Sequence, residues 1–427
     1  MTEIVAQKPS EAFPWILVLG TAEWDSAIAT NQHYMAQELA RSNRVTFVES
    51  MGLRRPELRP RDLRRIVQRL GRIISSRTRG SEAPRAASRP IPPNLEVLSP
   101  FVVPLHVGWV RTLNRKLLNR QLREWRDSAG TTILWAYTPA TYSLETSASA
   151  SFYHCVDLLG DVPGISKELI AAEESRLASD GVPAAGSSEV VVEHLRRVGF
   201  QEVHSWLNVA DVVTIESTRP AKDNRIPRSA VFAGNLSATK VDFTCLRELQ
   251  NAGWHIHLAG PISEGGGDAA ALVQDLVNAG ATYHGLLSLA ELGALYWRCS
   301  VGLIPYVIND YTRGVNPLKT YEYLAAGLPV VTTAIPAVVP RDGDVLTTTT
   351  TKEFVDAVNS TAVSPDQQDR RIAIARANSW SHRGEVARQT AEDLIARRRY
   401  VSSEGSPSDP GDSSMVRLES GSPNSRV

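Results

Sequence analysis

SAVFAGNLSATKVDFTCLRELQNAGWHIHLAG (229–260) holds a short apolar run ending in Gly234, a helical stretch from about Val241 to Ala252, and a second apolar run ending in Gly260. Apolar runs of this length, closed by glycine, read as buried strands. ATYHG (281–285), SVGLIPY (300–306) and LPVVTT (328–333) continue the series. Strands that alternate with helices fold as a parallel sheet covered on both faces. The first half keeps the same rhythm. WILVLG (15–20) precedes a helix over about Asn31 to Arg41. RVTFVES (44–50), LEVLSP (95–100), TTILWAY (131–137), SFYHCV (151–156) and DVVTIES (211–217) then read as further strands. The two series meet at TRPAKDNRIPRS (218–229), a polar stretch with two prolines that reads as a linker. The expected class is α/β, with two doubly wound units. Residues 178–190 read as an inserted loop, 75–94 as a mobile loop and 402–427 as a disordered tail.

A chain of 427 residues with 42% hydrophobic content suits two domains. Its 46 Lys+Arg balance its 46 Asp+Glu, which argues against a dedicated nucleic-acid binder. Cys155, Cys245 and Cys299 stand far apart without metal-ligand spacing, so a reducing, cytoplasmic setting is expected. No run of about 18 apolar residues occurs. The charge is uneven, however. Residues 54–89 carry 12 Arg against three acidic residues, a net of +9, with Leu63, Ile66, Val67, Leu70, Ile73 and Ile74 at helical spacing. Two readings of this segment stay open. It is a helix docked on the first domain, or a basic amphipathic surface for anionic lipid at the inner membrane face.

NPLKTYEYLAAGLPVVTT (316–333) carries the chemistry. Asn316 suits a helix cap and Pro317 the first helical position, Gly327 stops the helix, and Pro329 begins the next strand. Lys319 and Glu322 share a face. A Lys in a first helical turn, beside N–H groups and the positive dipole end, suits a diphosphate. A Glu one turn later can accept bonds from the two adjacent hydroxyls of a ribose. GxGxxG and GxxxxGK[ST] are both absent, which speaks against a dinucleotide oxidoreductase or a P-loop enzyme.

This segment resembles the donor site of GT-B glycosyltransferases, in particular family 4-like bacterial enzymes that build polysaccharides and glycolipids. SAVFAGNLSATKVDF (229–243), WHIHLAGP (254–261) and TYHGLLSLAELGALYWRCSVGLIPY (282–306) follow in the family's order, so the resemblance covers about 229–380. WILVLGTAEWDSAIATNQHYMAQELA (15–40) resembles, more loosely, the start of the acceptor domain. The resemblance implies an acceptor domain over 1–217, a linker over 218–229, a donor domain over 230–379 and a helix over 380–401 crossing back to the first domain. It implies that Glu322 holds the donor ribose and that Lys319 and Lys240 face the phosphates. Gly234 and Asn235 would let the donor approach the backbone, His284 and Gly285 would meet the base, and Tyr306 would border the cleft. It implies a metal-independent transfer without a cofactor. The family's pattern of Glu, seven residues, Glu is broken, because the first position is Gly314. Asp310 is the nearest acidic substitute, and Arg313 in the same loop could meet a phosphate or an acidic sugar.

The acceptor side rests on FYHCVDLLGDVPG (152–164). Asp157 and Asp161 follow a strand, at the edge where parallel sheets bind ligands. In an inverting transfer one carboxylate deprotonates the acceptor hydroxyl; Asp157 is the first choice and Asp161 the second. Asp25 and His33 follow the first strand and face the same edge. His33 is either a base or a partner for a backbone carbonyl. The expected partners are a UDP- or GDP-sugar and a lipid-linked or polysaccharide acceptor, with no nucleic acid. A nucleotide-sugar epimerase and a non-catalytic sugar- or nucleotide-binding scaffold are the alternatives.

Overall fold

The computed structural model describes residues 13–26, 28–53, 89–162, 164–222, 224–262, 269–361 and 363–404. The basic segment 54–88 and the tail beyond 404 lie outside them, as does most of the 75–94 loop. Two parallel sheets organise the chain. The first contains β1 (Trp15–Leu19), β2 (Arg44–Val48), β3 (Leu95–Leu98), β4 (Thr132–Ala136), β5 (Ala150–Cys155), β6 (Ala184–Gly186) and β7 (Val203–Ser205). Its order is β3-β2-β1-β4-β5-β6-β7. The second contains β8 (Ser229–Ala233), β9 (His255–Ala259), β10 (Thr282–Tyr283), β11 (Val301–Ile304), β12 (Val330–Thr333) and β13 (Val345–Thr348), in the order β10-β9-β8-β11-β12-β13. Every recorded pair of these strands is parallel.

Each sheet therefore grows outward in both directions from its first strand. Between β1 and β4, and between β8 and β11, the flanking loops diverge and leave a crevice at the carboxyl ends of the strands. The cores follow this plan. β1, β4 and β8 are buried almost throughout, as strands covered on both faces must be. The Trp380–Glu404 helix leaves the second unit and packs on the first. Trp380 stacks on Tyr34 at 4.9 Å and 8°. Ala387 and Ala391 enter the core that contains Met35 and Phe47. Gly384 leaves room for Glu38, whose Oε2 would lie 2.4 Å from a Cβ there.

Three sequence expectations change. Residues 211–217 are not a strand: Val212–Ser217 is a helix, capped by Asp211 accepting from the Thr214 N–H at 3.1 Å. Its β-branched residues fall with Val212 and Ile215 buried and Val213 exposed, a helical rather than an alternating pattern. Residues 178–190 are not an inserted loop. They close the Lys167–Ser179 helix, form β6 and open the Glu189–Val198 helix. Asn316 is not a helix cap, because the next helix starts at Lys319 after Leu318, itself already helical.

The glycines after β8 and β9 meet. Gly234 donates to the Ala259 carbonyl at 2.9 Å, and Gly260 to the Gly285 carbonyl at 2.7 Å. Gly260 has φ 128°, and a Cβ there would lie 2.0 Å from the Gly234 oxygen. Gly260→Ala should therefore lower stability by more than about 3 kcal/mol. Gly280→Ala, with φ 103° but open space, should lose only about 1 kcal/mol. Equal melting temperatures for the two variants would refute the close-approach argument.

Candidate functional site

The carboxyl edges of the two sheets face one another, and the contacts between them are specific. Tyr137, just past β4, donates to Asn31 Oδ1 at 2.8 Å. Asn31 Nδ2 donates to Asn208 Oδ1 at 2.9 Å, and Asn208 Nδ2 to the Asn316 carbonyl at 2.6 Å. Asn316 Nδ2 returns to the Ser187 carbonyl at 3.0 Å, and Ser188 Oγ donates to the Gly314 carbonyl at 3.1 Å. All these side chains are buried. Asn316 is thus a tie between the two units, not a group open to a donor. Gly314, where the family pattern has Glu, packs beneath Leu158, whose side chain would lie 3.1 Å from a Cβ. An acidic side chain at 314 would be forced against the β5 loop.

Glu322 lies in the Lys319–Ala325 helix and is 7% exposed. Its Oε2 accepts from Tyr296 Oη at 3.0 Å and from Lys319 Nζ at 2.7 Å. Its Oε1 makes no hydrogen bond among the described residues. One carboxylate oxygen is committed and fixes the side chain; the other is available. Lys319 is held by Glu322 rather than projecting freely. The amides of Thr320, Tyr321 and Glu322 bond back to the Pro317 and Leu318 carbonyls, so they are not open to an anion either.

Gly234 and Asn235 leave the end of β8, and Asn235 is exposed. Lys240 closes this loop: its carbonyl accepts from the Val307 N–H at 2.9 Å, and its ammonium lies 4.7 Å from the Tyr306 ring centre. Tyr306 is buried at the end of β11, where Thr333 Oγ1 accepts from its N–H at 3.1 Å. Opposite stands Asp157, two residues beyond β5. Burial pushes its carboxyl up to about 6, against the pull of the Lys240 ammonium. The charge of Lys240, at the carboxyl edge of the second sheet, thus reaches Asp157 at that of the first.

Asp161 instead pairs with Lys167 at 2.7 Å on the surface. Asp310, exposed in the first turn of the Asp310–Gly314 helix, adds its charge to the field at Lys167. Arg313 is exposed, and its guanidinium has no partner among the described residues. His284 Nε2 lies 3.0 Å from His257 Nδ1, beside the left-handed Gly285. Burial, then His255, pushes His257 down to about 4, burial lowers His284 as well, and the pair is uncharged at neutral pH. No group of three or more His, Cys, Asp or Glu among the described residues could hold a metal ion. Asp25 is exposed. His33 is fully buried; its Nδ1 accepts from the Thr30 N–H at 3.0 Å and its Nε2 donates to the Glu23 carbonyl at 3.0 Å. Burial, then Arg89, pushes it down to about 4, so it is neutral at neutral pH, and with Nδ1 already accepting and Nε2 carrying the proton it has no free lone pair with which to act as a base.

Sequence reasoning missed Tyr296 and the Asn31–Asn208–Asn316 chain. Tyr296 reads as core on an apolar helix, and isolated asparagines carry no spacing signal.

Two parallel sheets with facing carboxyl edges, and a last helix returned to the first, define the GT-B glycosyltransferase fold. Sucrose-phosphate synthase from Thermosynechococcus elongatus shares it at 13% identity, over 90% of this chain and 100% of that one, with a TM-score of 0.64. A glycosyltransferase from Rickettsia africae ESF-5 does so at 12% identity, over 90% and 99%, with a TM-score of 0.61. Anabaena HepE, solved with UDP and glucose, follows at 14% identity, over 89% and 99%, with a TM-score of 0.56. Residues 227–362 match the family described as Glycosyl transferases group 1. TuaH of Bacillus subtilis (strain 168), a proposed teichuronic acid biosynthesis glycosyltransferase, is 26% identical over 180 residues. That match takes in 40% of this chain and 45% of TuaH, so under half the length of this curated relative is spanned.

Proposed function

We propose that this chain is a glycosyltransferase that moves a sugar from a nucleoside diphosphate to a hydroxyl of a lipid-linked or polysaccharide acceptor in envelope polysaccharide assembly. Residues 230–379 take the donor, residues 1–217 the acceptor, with 218–229 as linker and 380–401 as the returning helix. The observation that carries this reading is Glu322, a buried carboxylate with one oxygen fixed by Tyr296 and Lys319 and one uncommitted. The free oxygen accepts a ribose hydroxyl. Lys240 and the exposed Arg313 offset the charge of the leaving diphosphate without a metal ion. The glycine loops at 234, 260 and 285 let the donor approach the backbone, and His284 borders the base. Asp157 removes the proton of the acceptor hydroxyl.

Two relatives support the donor and the pathway class. Anabaena HepE was solved with UDP and glucose, and TuaH carries a teichuronic acid biosynthesis assignment. No helix among the described residues is long and apolar enough to cross a membrane. A cytosolic nucleotide donor and a lipid-borne acceptor would meet at the inner membrane face. Gly314 is the observation that favours a non-catalytic scaffold, and turnover separates the two readings.

The test is a melting-temperature panel with UDP, GDP, dTDP, CDP, ADP and NAD. One nucleoside diphosphate at about 100 times its dissociation constant should add about 2.7 kcal/mol of stability. Stabilisation by NAD alone, or by none of the six, would remove the donor reading.

A further inference from the structure

A pocket opens at the seam of the two units, on the far side of the Lys319–Ala325 helix from the donor carboxylate. Lys319 and Glu322 share one face of that helix, and Thr320 and Tyr321 turn away from it. There they meet the 337–341 loop, which follows β12, and Leu207 of the first unit. The donor and acceptor chemistry uses none of these side chains.

The polar groups of the pocket are donors without acceptors. Thr320 is 6% exposed, and its Oγ1 has no hydrogen-bond partner among the described residues. A helical threonine can donate to the carbonyl four residues back, but the Asn316 carbonyl takes Asn208 Nδ2 at 2.6 Å instead. The Tyr321 hydroxyl and the Arg341 guanidinium also lack partners among the described residues. Behind Leu207 stands Arg383 of the returning helix. Its Nη2 donates to the Leu207 carbonyl at 3.0 Å, and its buried Nε has no partner. Burial lowers this guanidinium to about 10 against the opposing effect of Tyr321, so it is charged at neutral pH.

Charge fixes the class of ligand. No acidic side chain lines the pocket. Asp342 follows Arg341 but forms no ion pair with it, and Asp344 is held by Arg370 and Arg371. Buried polar groups are normally paired, so an orphaned one marks a missing partner. Two guanidiniums and two hydroxyls, all able to donate, suit a tetrahedral oxyanion, which accepts from several directions at once. Leu207, Ala337 and Val338 wall the pocket with apolar surface, which strengthens such bonds. As it stands the pocket has room for about 10 Å³, one water molecule. Its outer rim is Arg341 and Val339, the latter 54% exposed, and outward rotation of these two side chains admits a larger group.

We propose that this seam pocket is a second anion site, taking a phosphate group against Thr320, Tyr321 and Arg341 with Arg383 behind them. It is separate from the diphosphate position beside Lys240 and does not rest on the donor reading. Leu207 belongs to the first unit and Arg341 to the second, so a bound phosphate touches both and favours their present arrangement.

The experiment is thermal unfolding of the full chain at constant ionic strength, titrated with inorganic phosphate, glucose 1-phosphate or acetate. Phosphate should raise the wild-type melting temperature along a saturating curve. Arg341→Ala removes one charge-assisted donor and should weaken phosphate affinity by about tenfold or more. Thr320→Val removes a neutral donor of the same shape and should weaken it by about threefold or more. Without phosphate, Thr320→Val should melt no lower than wild type, because the hydroxyl it deletes is unpaired. Lys240→Ala should keep the phosphate response, since that lysine lies in the donor cleft. Tighter binding of glucose 1-phosphate than of phosphate would make a phosphorylated sugar the occupant, and the reverse order a free phosphate. Four results would overturn the proposal. They are a rise that never saturates, as salt exclusion alone gives, an equal response in Arg341→Ala, an equal response to acetate, or a response lost in Lys240→Ala and kept in Arg341→Ala.

Discussion

Glu322→Ala should abolish stabilisation by the cognate nucleoside diphosphate and lower kcat/KM by more than about 100-fold. The reason lies in how the carboxylate is held. Tyr296 and Lys319 both donate to Oε2, at 3.0 and 2.7 Å, and leave Oε1 for a ligand. Removing the carboxylate deletes the ligand's acceptor and strands two donors in a mostly buried site. Hydrogen bonds to a charged group are worth about 1.5–3 kcal/mol each, so the variant should also melt lower. That raises the question whether lost binding is only lost folding. Glu322→Gln answers it, because its amide oxygen can still accept from Tyr296 while the charge on Lys319 goes unmatched. If the glutamine variant restores the melting temperature but not the nucleotide response, the carboxylate itself binds the donor. Full nucleotide stabilisation in the alanine variant would remove the anchor of the functional reading.

The strands that build both crevices were legible because each is an apolar run with a sharp stop, as in WILVLG and SAVFAG. β6, AAG, and β7, VHS, are too short and too poor in branched residues to show a period. They exist because neighbouring strands pair with them, which is tertiary information. The helix at 212–217 misled for the opposite reason: its valines and isoleucine favour a strand locally, but a cap at Asp211 and burial on one side decide the outcome. The site divides in the same way. Glu322 and Lys319 share one helical turn, so their neighbourhood was readable. The Asn208–Asn316 bond joins residues 108 apart, and no local pattern announces it. Asp157 was placed at the right edge by its strand; its proximity to Lys240 depends on how the two sheets face, which the strand alone cannot report.

Asp157→Asn should lower kcat by about 10²–10⁴-fold while nucleotide binding stays intact. A base must be ionised to act, and burial pushes this carboxyl up to about 6. Wild-type kcat/KM should therefore rise as pH increases through about 6 and level off above it. A bound diphosphate brings further negative charge toward the same carboxyl, which raises its pKa. The kcat profile should then break at a higher pH than the kcat/KM profile. Stability runs the other way. The folded-state pKa lies above the ordinary 3.8, so Asp157 favours the fold when protonated, and that contribution is lost as pH rises through about 6. An asparagine side chain is neutral at every pH and avoids the loss, so the variant should melt higher than wild type at pH 8 and no higher at pH 4. A variant that is slower, still binds nucleotide and is more stable above pH 6 cannot be explained by damaged structure. Full activity in Asp157→Asn would instead move the proton acceptor elsewhere and favour a transfer that retains configuration, in which the departing phosphate takes the proton.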